Sequence, residues 1–560
     1  MQNIFLRRLF LVITGSKINA GEGDKNMADY IKGVDLSAVA EVEELGAKYY
    51  DNGVQGDIFD ILKNYGVNSV RLRLWNDPYT EDGVPYGAGT NDLEVYKKLA
   101  KRAMDHGMSI LLDYHYSDFW ADPGKQRVPK AWRGMDADQL EQAVYDYTRE
   151  TLLEMKAAGV LPQLVQVGNE LTNGLMWPLG QKPEYDNIAK FVSAGIRAVR
   201  SVDSDIPVMI HLDNGGNNLM YVDWFDHYME RGEDFDIIGM SYYPFWHGTT
   251  SNLKDMLTSI SKLTNASGNN IQVMVAETQY VHTNEDYDGA DNQAYEGKNN
   301  IDLSGWSVSL QGQANEIHDV MAAVAGVGEN GIGMFYWEPA WLGVGNAYDA
   351  DGNIDEAALA ANKVKWETYG SGWATDAAAE YDPSAAQWGG GGTNNENASL
   401  FDFYGNPLSS LNVFKYVNYG AVAKTPSYYS YNADELTNIT VETGTSAQEI
   451  RSRLAQANAT VGYVNNDKST GTTSIVWSDA SCTDIANKIQ TTGAIGNSYL
   501  AEGTITVDGN NYTVKTKVFV APAENLIKNG DFENGSSDWT FENGGILFVD
   551  GKNPRNGSSY

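Results

Sequence analysis

Cysteine is almost absent from this 560-residue chain, in which Cys482 stands alone. A single cysteine cannot form an intrachain disulfide, so long loops must be held in place by other means. Basic residues are also scarce: 40 Lys and Arg stand against 74 Asp and Glu, which gives a formal net charge of −34. This charge repels nucleic acid and anionic membranes, so neither is expected as a partner and an uncharged substrate is favoured.

Long apolar runs are lacking as well. Arg7 and Arg8 precede the short apolar run 9–13 in the order of an export signal, so residues 1–29 are interpreted either as a partial signal peptide or as a disordered leader. Past that segment the sequence has no stretch near the ~20 consecutive apolar residues that a membrane helix needs. No membrane insertion is therefore expected.

What the chain does contain is a repeated pattern. From residue 31 onwards, short apolar runs typical of strands alternate with longer segments of helical period, such as Asp92–His106, Ala137–Ala158 and Gln313–Val327. Eight such units predict an α/β fold, a (β/α)8 barrel, over residues 30–422. The predicted strands are Ile31–Leu36, Val67–Trp75, Met108–Tyr116, Leu161–Asn169, Pro207–Asp213, Phe235–Tyr242, Ile271–Glu277 and Gly331–Trp337.

The predicted strands end in polar or aromatic residues that a buried strand does not need for packing. One polar strand end is common, but a full set indicates function, because the active site of such a barrel lies at the carboxyl ends of its strands. The residues at these ends are Asp35, Arg73, Trp75, His115, Asn169, Glu170, His211, Asp213, Tyr242, Tyr243, Glu277 and Trp337.

Glu170 and Glu277 end the fourth and seventh predicted strands, which face each other across the barrel mouth. Glycoside hydrolysis needs two carboxyl groups on opposite sides of the scissile bond, about 5 to 5.5 Å apart when configuration is retained. By position alone, each glutamate also fits a solvated loop carboxylate. Asn169 beside Glu170 favours catalysis, because its amide can bind a sugar hydroxyl.

The neighbours of the two glutamates indicate different roles. A nucleophile must stay ionised, for which Arg71 or Arg73 can supply a cation and Tyr242 or Tyr243 a hydrogen bond. An acid/base must be protonated at rest, which a dry setting favours, and Trp177 is predicted to provide that setting beside Glu170.

Five stretches of the sequence resemble the signature segments of glycoside hydrolase family 53, over roughly residues 30–420. They are Val70–Trp75, Leu112–Gln126, Val167–Glu170, Ser241–Gly248 and Tyr336–Trp341. The resemblance implies a retaining barrel enzyme with Glu170 as acid/base and Glu277 as nucleophile. It also implies a bacterial protein, secreted or at the cell surface, that cleaves the β-1,4-galactan of type I arabinogalactan and pectin, and we expect a monomer.

The barrel mouth is also predicted to bind the substrate. The predicted contacts are Asn169, Arg71, Arg73, His115, Trp120, His211, Tyr242, Tyr243 and Trp337. The sequence departs from the family at one place: Asn395–Ala398, after the glycine stretch 389–392, stands where related enzymes carry Trp-Asp-Asn-Gln. This difference predicts a looser eighth loop.

The composition changes beyond residue 419, where Thr, Asn, Val and Ser become frequent. Residues 430–522 are predicted to form a small, largely β domain and resemble bacterial immunoglobulin-like modules. Residues 523–560 are too short to bury a core alone and resemble the start of a truncated jelly-roll carbohydrate-binding module. A spacer domain with a disordered tail is the alternative. The predicted strands are 437–443, 504–507 and 512–520, with a hairpin turn at 508–511.

Two other functions are alternatives to hydrolysis by paired glutamates. A catalytically silent sugar-binding protein would keep the aromatic platforms but lose a carboxylate, whereas Glu170 and Glu277 are both present. A metal-dependent barrel hydrolase needs clustered His and carboxylate ligands at the strand ends, and only His115 and His211 are well placed among seven histidines. Hydrolysis is therefore favoured, with no cofactor for the chemistry.

A structural calcium ion is predicted in the loop 277–313, which shows little periodicity and needs an anchor. Oxygen-bearing residues recur at every second position of Glu285–Asn292, and calcium takes six to eight oxygen ligands. The predicted ligands are Asp286, Asp288, the Ala290 carbonyl and Asn292. The family resemblance implies the same site, although a histidine is common at position 290. An acidic solvated loop is the alternative.

Overall fold

The computed structural model describes residues 30–265, 267–301, 304–369, 372–385, 392–416, 425–431, 439–455, 458–464, 470–507 and 510–521. The predicted leader, residues 1–29, and the predicted truncated module, residues 523–560, lie outside these ranges. Within these ranges, no helix combines the length and the apolar character that a membrane crossing requires.

The first part of the chain is a closed barrel of eight parallel strands. Each strand pairs with the next along the chain and the last pairs with the first, so the sheet has no open edge. The predicted barrel and all eight of its strands are confirmed. The strands are β1 (Ile31–Asp35), β2 (Ser69–Leu74), β3 (Ser109–Tyr114), β4 (Leu164–Val167), β5 (Val208–Leu212), β6 (Ile237–Ser241), β7 (Gln272–Thr278) and β8 (Gly331–Tyr336).

The barrel interior changes from apolar to polar along the strands. Leu111 and Leu164 belong to one buried apolar cluster. Residues two apart on a strand share a face, so Asp113 and Gln166 lie on the same interior wall, nearer the carboxyl ends. Both polar side chains are fully buried. The apolar layer therefore supports a layer of polar groups directly beneath the barrel mouth.

The crossover helices begin where the sequence supplies a capping side chain. Asp92 and Asp136 each accept a hydrogen bond from a backbone N–H of the helix that follows. The helices predicted at 92–106, 137–158 and 313–327 are confirmed with small shifts at their ends. The helices are α1 (Val39–Glu44), α2 (Ile58–Asn64), α3 (Leu93–Asp105), α4 (Ala137–Ala157), α5 (Tyr185–Val202), α6 (Asn218–Met229), α7 (Pro244–His247), α8 (Thr250–Ile260), α9 (Leu310–Ala325), α10 (Glu356–Tyr369) and α11 (Asn412–Tyr416).

The C-terminal part contains helices as well as strands. Its strands are β9 (Thr425–Tyr431), β10 (Ile439–Glu442), β11 (Asn458–Val464), β12 (Thr470–Ser474), β13 (Val476–Trp477), β14 (Ser498–Val507) and β15 (Asn510–Ala521), and its helices are α12 (Ala447–Leu454) and α13 (Asp479–Lys488). Strands β10 and β15 pair in parallel. The predicted immunoglobulin-like domain at 430–522 is not confirmed, because such a domain consists of antiparallel strands without helices of this kind.

Short capped helices account for this difference. Ser446 and Ser478 accept hydrogen bonds from the backbone N–H groups three residues later, which starts α12 and α13. Ile450 and Leu454, four residues apart on α12, are both buried. Val507 pairs with Asn510 and Thr506 with Asn511, so β14 and β15 form a hairpin, but two of the four residues predicted for its turn, Asn510 and Asn511, belong to β15. Residues 508 and 509 lie outside the described ranges.

Candidate active site

Glu170 follows β4 in the left-handed backbone region, with a φ of 51°. Non-glycine residues seldom adopt this conformation, so surrounding contacts have to hold it. The Gln126 amide donates to the Asn169 carbonyl at 2.8 Å, and the Ser241 hydroxyl donates to Glu170 Oε1 at 2.6 Å. Both the backbone and the carboxyl group of Glu170 are therefore fixed at the barrel mouth.

Glu277 lies within β7, is 6% exposed and carries two charge-stabilising contacts. Arg71 Nη2 lies 2.8 Å from Glu277 Oε1, and the Tyr243 hydroxyl donates to Oε2 at 2.9 Å. Both contacts favour the ionised carboxylate. Among the residues predicted for this task, Arg71 and Tyr243 are the two that the structure places against Glu277.

The other two residues predicted for that task have different partners. Arg73 forms an ion pair with Glu338 at 2.6 Å, and its guanidinium lies 4.5 Å from the centre of the Trp120 ring. Tyr242 is fully buried, and its hydroxyl donates to the Gly248 carbonyl at 2.8 Å. Arg73 and Tyr242 therefore contact neighbouring residues of the barrel mouth and not Glu277.

Arg71 is the buried cation at the centre of the site. Its guanidinium also pairs with Asp35 at 2.9 Å and Asp113 at 2.7 Å. Burial raises the pKa of Asp113, but Arg71 and then His115 outweigh that effect and hold it below its usual value. The carboxylates around Arg71 fix the orientation of its guanidinium towards Glu277.

Burial raises the pKa of both glutamates. At Glu170 the carboxyl groups of Glu277 and Asp213 raise it further, so its pKa lies well above the usual value. At Glu277 the Arg71 guanidinium and the Tyr243 hydroxyl oppose the effect of burial. The two carboxyl groups therefore titrate as an unequal pair, in which Glu277 loses its proton first and Glu170 keeps its own.

Three predicted substrate contacts lie just beneath the glutamates. The Asn169 side-chain oxygen accepts from Arg71 at 3.0 Å. His115 Nε2 lies 3.1 Å from Asp113 Oδ2, and His211 is fully buried among hydrogen-bonding side chains. Because both histidines are engaged by protein groups in this way, the geometry favours the paired glutamates over a histidine-based metal centre.

Aromatic rings stand beside the polar groups. Trp120 and Trp373 are stacked, with ring centres 4.6 Å apart, and Trp337 lies 6.2 Å from Trp120. Flat aromatic faces of this kind bind the apolar faces of ligand rings. Trp120 and Trp337 were predicted as contacts. Trp373 was missed because it lies far along the loop after β8, where no strand end marks it.

Trp177 is half-buried on the rim of the barrel. Its indole N–H donates to the Asn173 carbonyl at 3.0 Å, and it lines a surface groove with Arg127 and Trp132. The predicted role of Trp177 beside Glu170 stays a prediction, because the raised pKa of Glu170 is explained by burial and neighbouring carboxyl groups.

Three carboxylates gather where calcium was predicted. Oxygens of Asp286, Asp288 and Glu396 lie within 4.8 Å of one another, and the last two residues are fully buried. Burial is the main cause that raises the pKa of Asp288 to about 7 and that of Glu396 well above its usual value. The Asn292 side-chain oxygen is buried with no hydrogen-bond partner in the described part of the chain. These residues fit a hard cation that takes oxygen ligands.

The prediction of a looser eighth loop is wrong for Asn395–Ala398. Residues Glu396–Ala398 form a buried helical turn. The Asn397 amide donates to the carbonyls of Thr283 at 3.1 Å and Ala294 at 2.8 Å. These bonds connect the eighth loop, which follows β8, to the seventh loop, which follows β7. The carboxylate of Glu396, missed by sequence reasoning, joins the cluster for this reason. The role of the Ala290 carbonyl stays a prediction.

Comparisons with known proteins agree with this architecture. The family model described as Glycosyl hydrolase family 53 matches residues 31–414. The chain is 43% identical to an endo-beta-1,4-galactanase of Bacillus subtilis over 397 residues, which covers 71% of this chain and 88% of that protein. It is 37% identical over 320 residues to an arabinogalactan endo-beta-1,4-galactanase A of Aspergillus niger, covering 56% of this chain and 85% of the relative.

A comparison with solved structures also finds a similar protein of this family. The GH53 catalytic domain of Ignisphaera aggregans is 37% identical and aligns with a TM-score of 0.60, covering 72% of this chain and 99% of that domain. The family model spans most of the chain and includes all the strands of the barrel. The chain therefore belongs to glycosyl hydrolase family 53 and is a glycoside hydrolase.

Proposed function

We propose that the protein is an endo-β-1,4-galactanase that cleaves internal bonds of type I arabinogalactan and pectic galactan with retention of configuration. The names of the Bacillus subtilis and Aspergillus niger relatives support the substrate class. The unequal surroundings of Glu170 and Glu277 carry the mechanism, since the pKa of Glu170 is raised well above its usual value, whereas at Glu277 the Arg71 guanidinium and the Tyr243 hydroxyl oppose the effect of burial. A polysaccharide cannot cross a membrane unaided, so the enzyme acts outside the cell or at its surface.

In the first step, the Glu277 carboxylate attacks the anomeric carbon and the bond to the glycosidic oxygen breaks. Glu170 gives its proton to that oxygen, which leaves as a hydroxyl group on the departing chain. Arg71 and Tyr243 hold the two oxygens of Glu277, which keeps the nucleophile ionised and oriented. The product of this step is a galactosyl ester of Glu277.

In the second step, Glu170 is a carboxylate and acts as a base. It takes a proton from a water molecule, whose oxygen attacks the anomeric carbon and releases Glu277. Two inversions at one carbon leave the β configuration of the product unchanged. Both glutamates return to their starting states.

Azide rescue tests these two roles separately. With an activated aryl β-1,4-galactobioside, the Glu277→Ala variant should yield an α-galactosyl azide and the Glu170→Ala variant a β-galactosyl azide. Loss of the nucleophile should reduce activity by several powers of ten. The assignment is wrong if Glu277→Ala keeps more than about a hundredth of the wild-type activity.

Polymer preference tests the substrate class. Wild-type protein should reduce the viscosity of linear β-1,4-galactan quickly, because an endo-acting enzyme cuts within the chain, and should leave arabinan and mannan unchanged. A faster loss of viscosity with arabinan or mannan would contradict the proposed substrate.

We also propose that the seventh and eighth loops bind a structural calcium ion. Asp286, Asp288 and Glu396 would hold it, with Asn292 as a further oxygen donor. The ion would supply the positive charge that three close carboxylates need and would fix the loop that follows the nucleophile strand. The ion would take no part in the bond-breaking steps.

A further inference from the structure

Ser241 is a buried hydroxyl in direct contact with the proposed acid/base. It is the last residue of β6 and is fully buried. Its hydroxyl donates to Glu170 Oε1 at 2.6 Å. Sequence reasoning did not single it out, because a serine at a strand end carries no charge and no ring.

His211 supports this hydroxyl from the other side. His211 Nε2 lies 3.0 Å from Ser241 Oγ. A serine hydroxyl has one hydrogen, and this one is directed at Glu170, so Ser241 accepts from His211 Nε2–H. Burial and then Arg71 lower the pKa of His211 well below its usual value, so the ring is neutral and has only one N–H.

The other ring nitrogen faces a donor. Gln166 Nε2 lies 3.0 Å from His211 Nδ1, and its amide orientation is fixed by a 2.6 Å hydrogen bond to Asp113 Oδ1. The Asn169 side-chain oxygen lies 2.9 Å from the same nitrogen and would suit the opposite tautomer. The opposite tautomer would make His211 Nε2 an acceptor, so the single hydrogen of Ser241 would be donated to His211 and not to Glu170.

We propose that Ser241, supported by His211, is a positioning residue that donates to Glu170 Oε1 in both steps of the reaction, leaving Oε2 to deliver and take up the proton. This inference rests on the proposed function. Ser241 keeps the same hydrogen bond whether Glu170 is an acid or a carboxylate, so no group has to reorganise between the steps. Oε2 alone changes its protonation state.

The charged groups around Glu170 and His211 make the hydrogen bond from Ser241 to Glu170 important. The carboxyl groups that face Glu170 are those of Glu277, Asp213 and Asp122, and each raises its pKa in addition to burial. The hydroxyl groups of Tyr221 and Tyr243 also face Glu170. Those that face His211 are Arg71, Asp113 and His115. Ser241 supplies the hydrogen bond that lowers the pKa of Glu170. A carboxyl group that must act as acid and then as base needs this opposing contact.

The Ser241→Ala variant tests the proposal. Loss of a hydrogen bond to the carboxylate raises the pKa of Glu170, so the alkaline limb of the pH profile of kcat/KM on galactan should move up by about 1 to 2 pH units. Ser69→Ala is the matched control, since this serine is also buried and bonds to Ser109 at the amino end of β2. The control should leave the limb in place.

A second pair of variants measures the same interaction through His211. His211→Gln keeps a donor near the Nε2 position and should keep the limb within about half a pH unit, whereas His211→Asn removes that donor and should move the limb upwards. These variants decide the matter if Ser241→Ala does not fold. An unmoved limb in an active Ser241→Ala variant, or a downward shift, would overturn the proposal, since a downward shift means that Glu170 donates to Ser241. Failure of the wild-type protein to cleave galactan would instead contradict the proposed function.

Discussion

At the scale of single residues, the ionised state of Glu277 depends on one hydroxyl group as well as on Arg71. The Tyr243→Phe variant removes the 2.9 Å hydrogen bond to Oε2 and leaves the ring in place. The pKa of Glu277 should rise, and the acid limb of the kcat/KM profile should move up by about one pH unit. Tyr242→Phe is the matched control, because that hydroxyl donates to a backbone carbonyl. Equal shifts in the two variants would contradict the assigned role of Tyr243.

The carboxyl group of Asp213 affects the pKa of the other glutamate, Glu170. Its carboxyl group raises the pKa of Glu170, so the Asp213→Asn variant should move the alkaline limb down, by about half a pH unit or more. The exposed Asp205 precedes β5 at the far end of the barrel, and Asp205→Asn should leave the limb unchanged. An upward shift in Asp213→Asn would contradict this electrostatic account.

The residues that sequence reasoning found are those with a positional signal. Glu170 and Glu277 end strands, and a barrel gathers its strand ends at one mouth. Ser241 also ends a strand, but its side chain carries neither a charge nor a ring, and Trp373 lies within a long loop. Arg71 and Arg73 lie two residues apart on the same strand, so the sequence does not show which of them contacts Glu277. Only the structure shows this, because side-chain pairing across the barrel depends on three-dimensional geometry.

At the scale of elements, the seventh and eighth loops should behave as one calcium-stabilised unit. Adding excess calcium to metal-free protein should raise the Tm by several degrees, reversibly with EDTA, because binding to the folded state alone stabilises it. The Asp288→Asn variant removes one buried carboxylate of the cluster and should abolish most of the gain. Glu285→Gln, at an exposed position in the same loop, is the control. Identical melting curves with EDTA and with calcium would remove the proposed site.

The same carboxylate cluster should make the stability of the fold, and its response to calcium, depend on pH. Burial raises the pKa of Asp288 to about 7 in the metal-free fold, whereas an unfolded aspartate titrates near 4. The folded state therefore binds more protons between these values, and this contribution to stability is present at low pH and is lost as pH rises through about 7. Calcium binds the ionised form, so the calcium-induced rise in Tm should be larger at pH 8 than at pH 5. A larger effect at pH 5 would contradict the assignment.

The regular pattern of apolar runs made the barrel strands predictable, whereas other elements have sequence patterns too short or too weak to be recognised. The eight barrel strands are apolar runs long enough to stand out, and each was found. Helix α12 has only two buried residues, Ile450 and Leu454, so its pattern is short beside the alternating strands around it. The anchoring of Glu396–Ala398 depends on contacts with residues more than a hundred positions away in the chain, such as Thr283. Such contacts cannot be read from local sequence.

At the scale of the whole molecule, the proposed hydrolytic site lies within the barrel domain. Glu170, Glu277 and the carboxylate cluster all lie within residues 31–414, the range that the family model matches. A chain ending at residue 422 should therefore keep the wild-type kcat on soluble galactan, measured as reducing ends released. A loss of more than about tenfold in a folded truncated protein would show that the C-terminal part contributes to the chemistry.

The anomeric configuration of the first product tests the central claim most directly. Proton NMR spectra recorded during the first minutes of galactan hydrolysis, before mutarotation, distinguish β-galactose from α-galactose reducing ends. The double displacement by Glu277 and Glu170 predicts that the β anomer accumulates first and that the α anomer appears only later by mutarotation. Early accumulation of the α anomer would mean a single inversion, and it would contradict the role of Glu277 as a covalent nucleophile.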